Sequence, residues 1–237
     1  IELSEQEKLE LFTRNWTALT GRVKLVPRER AEQEIVSYIG ELAAEFGISR
    51  IARWDEERLN QLGLDEGLRA KGLQVVPWRE DGAATGASGE TAADGPEAGE
   101  DVAKDGAEGG SPSDPFHTGN WAKRHPLLRA VERCGMGIVW PDAVIANSGT
   151  LALFADPGKG RSVSLLTDVL VAIFDQAQLV VRMGEVFAAM KERYGSAMNI
   201  PSSVNLITGP SRSADIENDL TVGVHGPGKV VAIIITP

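Results

Sequence analysis

A single cysteine, Cys134, among 237 residues leaves nothing to form an internal disulfide. It also leaves too few thiolates for a zinc or iron–sulfur cluster held by Cys pairs, so no metal is expected on this chain. Only three histidines are present, and His117 and His125 show no metal-ligand spacing with His225. So sparing a use of cysteine suits a cytoplasmic compartment. No apolar run approaches the ~18 residues of a membrane-spanning helix. The opening Ile1-Glu2-Leu3-Ser4-Glu5 has neither the basic region nor the apolar stretch of a secretory signal, and an initial Ile points to a natural start upstream. No basic stripe stands out, so nucleic acid is not an expected partner.

What is present is an ordinary globular balance. Apolar residues make up 42% and charged residues 24%, enough to build a core, and the length suits one large domain over 1–237. The net charge of −10 is local. Ten acidic residues and one Lys lie between positions 80 and 114, so the rest of the chain is close to neutral. Residues 80–115 are nearly all Gly, Ala, Ser, Pro, Asp and Glu, and such a segment cannot bury enough apolar surface to offset its ordering entropy. It reads as a flexible acidic insert within one domain.

Periodicity divides the remainder. Ser4-Glu5-Gln6-Glu7 is a capping box, and Leu9, Phe12, Trp16 and Leu19 recur at helical spacing behind it. Pro27 is expected to start a second helix carrying Ile35, Ile39, Leu42 and Phe46, with Gly47 as its stop, giving a helical N-terminal part over 1–47. Strands at 50–54 and 73–78 bracket a small helix near 56–62, the alternation of a parallel sheet. Past the insert, Pro126 opens a helix. Strands are expected at 137–140, 142–146, 150–155, 162–166 and 170–174. A helix capped by residues 175–178 should then bury Val180, Met183, Phe187, Met190 and Tyr194. Strands at 203–208 and 230–236 close the chain.

Three polar, glycine-containing turns fall at strand ends, where α/β sheets bind ligands. Ala146-Asn147-Ser148-Gly149-Thr150 can turn sharply and present N–H groups to an anion, or be an ordinary hairpin turn. Residues 209–217 read Gly-Pro-Ser-Arg-Ser-Ala-Asp-Ile-Glu. Arg212 there suits bidentate capture of carboxylate or phosphate, with Asp215 and Glu217 orienting it or a helix starting near Ala214 helping. A self-satisfied Arg–Asp surface turn is the plain alternative. In Gly223-Val224-His225-Gly226-Pro227-Gly228 the imidazole sits among glycines, where it can reach a ligand or simply be exposed. A Ser211–His225–Asp215 triad is set aside, because the turn around Ser211 lacks the last Gly of a nucleophile elbow. Gly158-Lys159-Gly160-Arg161-Ser162 lacks the full phosphate-loop spacing, although its basic residues can still reach an anion. No GxGxxG follows a strand, so no nicotinamide site is indicated.

Taken together, the motifs at 209–217 and 223–227, with 146–151 and Arg161-x-Val163-Ser164-Leu165-Leu166 upstream, resemble the signature of the lactate-utilization protein C family, the LUD domain. The likeness is close over about 136–236 and loose over the N-terminal helices. It implies a three-layer α/β/α Rossmann-like sandwich of the ribose-phosphate isomerase/CoA-transferase-like type, with N-terminal helices. It also implies work beside an iron–sulfur subunit and a cysteine-rich subunit in oxidising L-lactate to pyruvate, with the clusters in those partners and no cofactor on this chain. No catalytic set is carried over. Asn147 stands where many members have an acidic residue, and Thr167-Asp168 stands where a Pro is expected. The candidate site for a small carboxylate or phosphate is Asn147, Gly149, Thr150, Ser211, Arg212, Asp215, Glu217 and His225. Two other classes stay open. A standalone enzyme on a phosphorylated or CoA-linked small molecule would turn over without partners, and a ligand-sensing or assembly protein would bind without turnover. Deleting residues 80–114 should leave the melting temperature within a few degrees of the full chain; a loss of many degrees would show that the insert is packed.

Overall fold

In the computed structural model, residues 3–79, 126–195, 200–214, 220–223 and 225–237 are described. The insert at 80–115, Asp215 and Glu217 lie outside them. The capping box forms as expected. Ser4 Oγ accepts from the Glu7 N–H; the Ser4 hydroxyl, donating to the Glu7 carboxylate at 2.7 Å, and then the Ser4 N–H at 2.8 Å hold that carboxyl below its usual range. Helix α1 (Glu5–Ala18) follows, with Leu9, Phe12 and Trp16 buried on one face.

In chain order come β1 (Arg22–Pro27), α2 (Ala31–Phe46), β2 (Arg50–Arg53), α3 (Glu57–Gln61), α4 (Leu64–Ala70) and β3 (Gln74–Pro77). Then follow α5 (Pro126–Glu132), β4 (Met136–Val139), β5 (Ala143–Ile145), β6 (Thr150–Phe154), α6 (Ser162–Leu165) and β7 (Val169–Asp175). The chain closes with β8 (Leu179–Val180), α7 (Met183–Tyr194), β9 (Val204–Ile207), β10 (Arg212–Ala214), β11 (Leu220–Val222) and β12 (Lys229–Thr236). Six strands pair in the order β1-β12-β7-β4-β2-β3, every pairing parallel. Nearly every residue of β4, β7 and β12 is buried, as parallel strands covered on both faces require. Helices α2 and α4 pack together, as do α5 and α6. The chain moves one way along the sheet through the first pair and returns through the second, so right-handed crossovers put the pairs on opposite faces. This is the α/β sandwich expected from the sequence.

A second, mixed sheet, β8-β5-β6-β9, lies against the first. Strand periodicity explains its two faces. Val144, Leu151 and Leu153 join the main core, while Ile145, Ala152 and Phe154 turn away and pack against Val186, Met190 and Tyr194 of α7.

Several local expectations fail for identifiable reasons. Pro27 ends β1 instead of opening a helix; one 3₁₀ turn separates it from α2. Charged Arg22 and Lys24 between two strong helices had masked this edge strand. Residues 162–165 form a helical turn, not a strand. The hydroxyls of Ser164 and Thr167 donate back to the carbonyls of Arg161 and Val163 at 3.0 and 3.1 Å. Residues 175–178 close only a 3₁₀ turn, and Val180 belongs to β8. Helix α7 is therefore rotated from the expected stripe: Val186 is buried while Met183 and Phe187 are 39% and 42% exposed. Ala214 ends strand β10, and residues 215–219, where a helix is expected to run on, lie outside the described residues.

Helix α6 lies on β4 because Gly137 has no side chain. A Cβ there would stand 2.0 Å from the Val163 carbonyl oxygen. Gly137→Ala should therefore destabilise the protein by about 1–3 kcal/mol, read as a lower urea midpoint at unchanged slope.

Candidate functional site

The three sequence turns do come together, around the last turn of α1. Asn15 Nδ2 donates to the carbonyls of Ala146 and Asn147, both at 2.9 Å, and so ties the first turn to the helix. Gly149 in that turn has φ +59°, and a Cβ on it would stand 3.0 Å from the Trp16 nitrogen. Backbone conformation and close approach both call for glycine here. Gly209, at φ +79°, opens the second turn against Leu19, where a Cβ would meet the Leu19 Cβ at 2.9 Å. The third turn is joined to the second by backbone bonds: Ser211 N–H to Pro227 O at 2.9 Å, and Gly223 N–H to Ser211 O at 3.0 Å.

Of the predicted side chains, Thr150 is buried and Arg212, Asn147 and His225 are exposed. Thr150 Oγ1 lies 2.8 Å from both Ser148 Oγ and Thr208 Oγ1, a chain of three hydroxyls linking the first two turns. Arg212 Nη2 donates to Leu19 O, the C-cap of α1, at 2.9 Å. That is a favourable place for a cation, at the negative end of the helix dipole. It occupies one of five guanidinium N–H groups, and among the described residues no carboxylate meets Arg212. Sequence reasoning missed Asn15 and Thr208. No local pattern marks either, since Asn15 acts across 131 residues of chain.

This cluster sits at the N-terminal ends of the parallel strands, beside the starts of β1 and β12. The opposite edge holds a cleft of about 1410 Å³. Strand order reverses between β2 and β4, a switch point of the kind where α/β proteins bind ligands beyond the C-terminal strand ends. Asp55, Trp78 and Arg79, which follow β2 and β3, line this cleft with the loop 155–162, Tyr194 and Ile200. The glycines of the phosphate-loop lookalike serve packing: a Cβ on Gly158 would stand 2.2 Å from Asp55 O, and one on Gly160 2.0 Å from the Trp78 ring. Trp54 Nε1 donates to Gly160 O at 2.9 Å and fixes the loop from below. At the cleft wall Lys159 Nζ meets Asp142 at 2.6 Å, both nearly buried, and Asp142 also accepts the Phe154 N–H. Trp140, one residue past β4, buries its indole N–H without an acceptor among the described residues.

Burial pushes the Cys134 thiol up to about 11, so it is protonated at neutral pH and no nucleophile. Among the described residues no group of His, Cys, Asp and Glu could hold a metal ion, and no helix is long and apolar enough to cross a membrane.

Fold and turns together define a doubly wound α/β protein with polar turns gathered at one sheet edge and an open cleft at the other. A family model described as the LUD domain matches residues 9–235, and the chain belongs to that family. It is 30% identical to a lactate utilization protein C of Halalkalibacterium halodurans over 234 residues, 99% of this chain and 81% of that one. With the protein of the same name from Macrococcus caseolyticus it shares 46% identity over 114 residues, 48% of this chain. That match, like several others, spans only about half the relative's length. A crystal structure of a DUF162 family protein from Deinococcus radiodurans superposes with a TM-score of 0.57 over 99% of each chain, at 15% identity.

The buried pair gives a direct test. Asp142→Ala strands the Lys159 ammonium and the Phe154 N–H, and should cost about 3–5 kcal/mol in urea unfolding. A loss below about 1 kcal/mol would mean that the pair is solvated.

Proposed function

We propose that this chain is the non-redox member of a system that oxidises L-lactate to pyruvate, working with iron–sulfur and cysteine-rich partner proteins in the cytoplasm. In that reaction two electrons and two protons leave lactate, and the electrons pass to clusters held by the partners. The chain's part is to hold a small carboxylate, or a phosphate, at the end of α1. One observation carries this reading: three turns far apart in sequence converge there and bring Arg212, the Ser148–Thr150–Thr208 hydroxyl chain and the His225 loop to one place. A guanidinium grips a carboxylate and hydroxyls orient its substituent, which is what a hydroxy acid offers. The names borne by the relatives in Halalkalibacterium and Macrococcus support the choice of lactate. The single protonated cysteine fits a division of labour in which others carry the clusters.

Lactate-dependent dye reduction in extracts of a strain lacking the gene tests it. Wild-type protein added back should restore activity. Arg212→Ala should restore it poorly at limiting lactate, since losing a charged hydrogen bond costs about 1.5–3 kcal/mol. Arg212→Ala with an unchanged melting temperature and full activity would remove Arg212 from the site, and activity untouched by the deletion would overturn the proposal.

A further inference from the structure

The cleft at the C-terminal strand ends is unused by this reading, and its chemistry differs from that of the α1 site. Its volume among the described residues, about 1410 Å³, exceeds the roughly 300–1,000 Å³ of an ordinary small-ligand pocket and suits a larger body than a three-carbon acid. Its cations are unequally committed. Lys159 is paired with Asp142 and lies 5.4 Å from the Trp54 ring centroid, and Arg79 Nε reaches Asp55 at 3.5 Å. Arg161 lines the cleft, is exposed, and makes no side-chain hydrogen bond or ion pair among the described residues. Trp78 and Tyr194 add partly exposed aromatic surface to the same lining. Trp78 is held in place because Gly160 lets the loop lie flat against its ring. The loop carrying Arg161 is itself anchored by Asp55 N–H to Gly158 O at 2.9 Å and by the Trp54 bond to Gly160 O. A guanidinium on an anchored loop, aromatic surface in the same cleft, and a position at the switch point make a built site.

We infer that this cleft binds an anionic ligand of nucleotide size, its phosphate or carboxylate on Arg161 and its flat ring against the aromatic lining that Trp78 and Tyr194 supply. The inference does not rest on the lactate reading, because it concerns the other edge of the sheet.

The test is a titration of the full chain with ADP, followed by calorimetry and by tryptophan fluorescence, with inorganic phosphate in parallel. Saturable ADP binding should appear, with phosphate at least tenfold weaker because it lacks the ring. Arg161→Glu, a change at an exposed position, should weaken ADP at least tenfold at an unchanged melting temperature. Arg212→Ala should leave it as it is. Failure of ADP to saturate at millimolar concentration, equal affinity for phosphate, or indifference to Arg161→Glu would each overturn the inference. Loss of ADP binding in Arg212→Ala would overturn it as well and move the ligand to the α1 edge. The lactate proposal stands or falls separately, on the add-back assay.

Discussion

The last turn of α1 is the joint on which both sheets hang. Trp16 is fully buried, stacks on Phe12 and donates its indole N–H to Arg22 O at 3.0 Å, which fixes where β1 begins. Phe12 meets Phe174 edge-on, and this seats the helix on β7 of the main sheet. One residue before Trp16, Asn15 holds the turn between β5 and β6 of the second sheet. Just beyond, the C-cap at Leu19 takes the Arg212 guanidinium and lies against Gly209. A helix end leaves carbonyls without partners, and here the candidate site is assembled partly by satisfying one of them. Stability and site geometry are thus the same set of contacts at this edge.

The two edges divide the protein's polar chemistry. At the α1 edge the groups are hydroxyls, backbone and a guanidinium, arranged by turns that permit little movement because glycines there are in contact with the helix. At the cleft edge, charged pairs and tryptophans dominate: Trp54, Trp78 and Trp140 all follow strands β2, β3 and β4 directly. Arg53, buried at the end of β2, spends its guanidinium on Asp65 and Asn60, so it braces α3 and α4 and is not offered to a ligand. Among the described residues Arg161 has no such tie. The difference between a structural and an available arginine at the same edge is therefore legible in partners, not in sequence.

Most of the α/β architecture could be read from apolar periodicity, since β4, β7 and β12 are near-continuous hydrophobic runs and α1 and α2 carry clear stripes. Two of the misreadings share one cause, which is that local pattern does not record long-range pairing. Strand β1 carries charges and lies at the sheet edge, and only its pairing to β12 defines it. Val180 looks like the start of the α7 stripe until β8 pairs it with Ile145. The candidate residues were legible as types, an arginine and small hydroxyl residues beside glycines. Their convergence was not, because Asn15, which organises them, has no signature of its own. No motif marks the cleft, since Gly158 and Gly160 lack phosphate-loop spacing and instead make room for Asp55 and Trp78.

Ligand size separates the roles of the edges further. A hydroxy acid of three carbons presents one carboxylate and one hydroxyl within a few ångströms, and turns locked against a helix can match that scale. A cleft of about 1410 Å³ among the described residues is on a different scale. What such a cleft can do is add up weak contacts over a larger body, with one cation for the anion and aromatic surface for the rest.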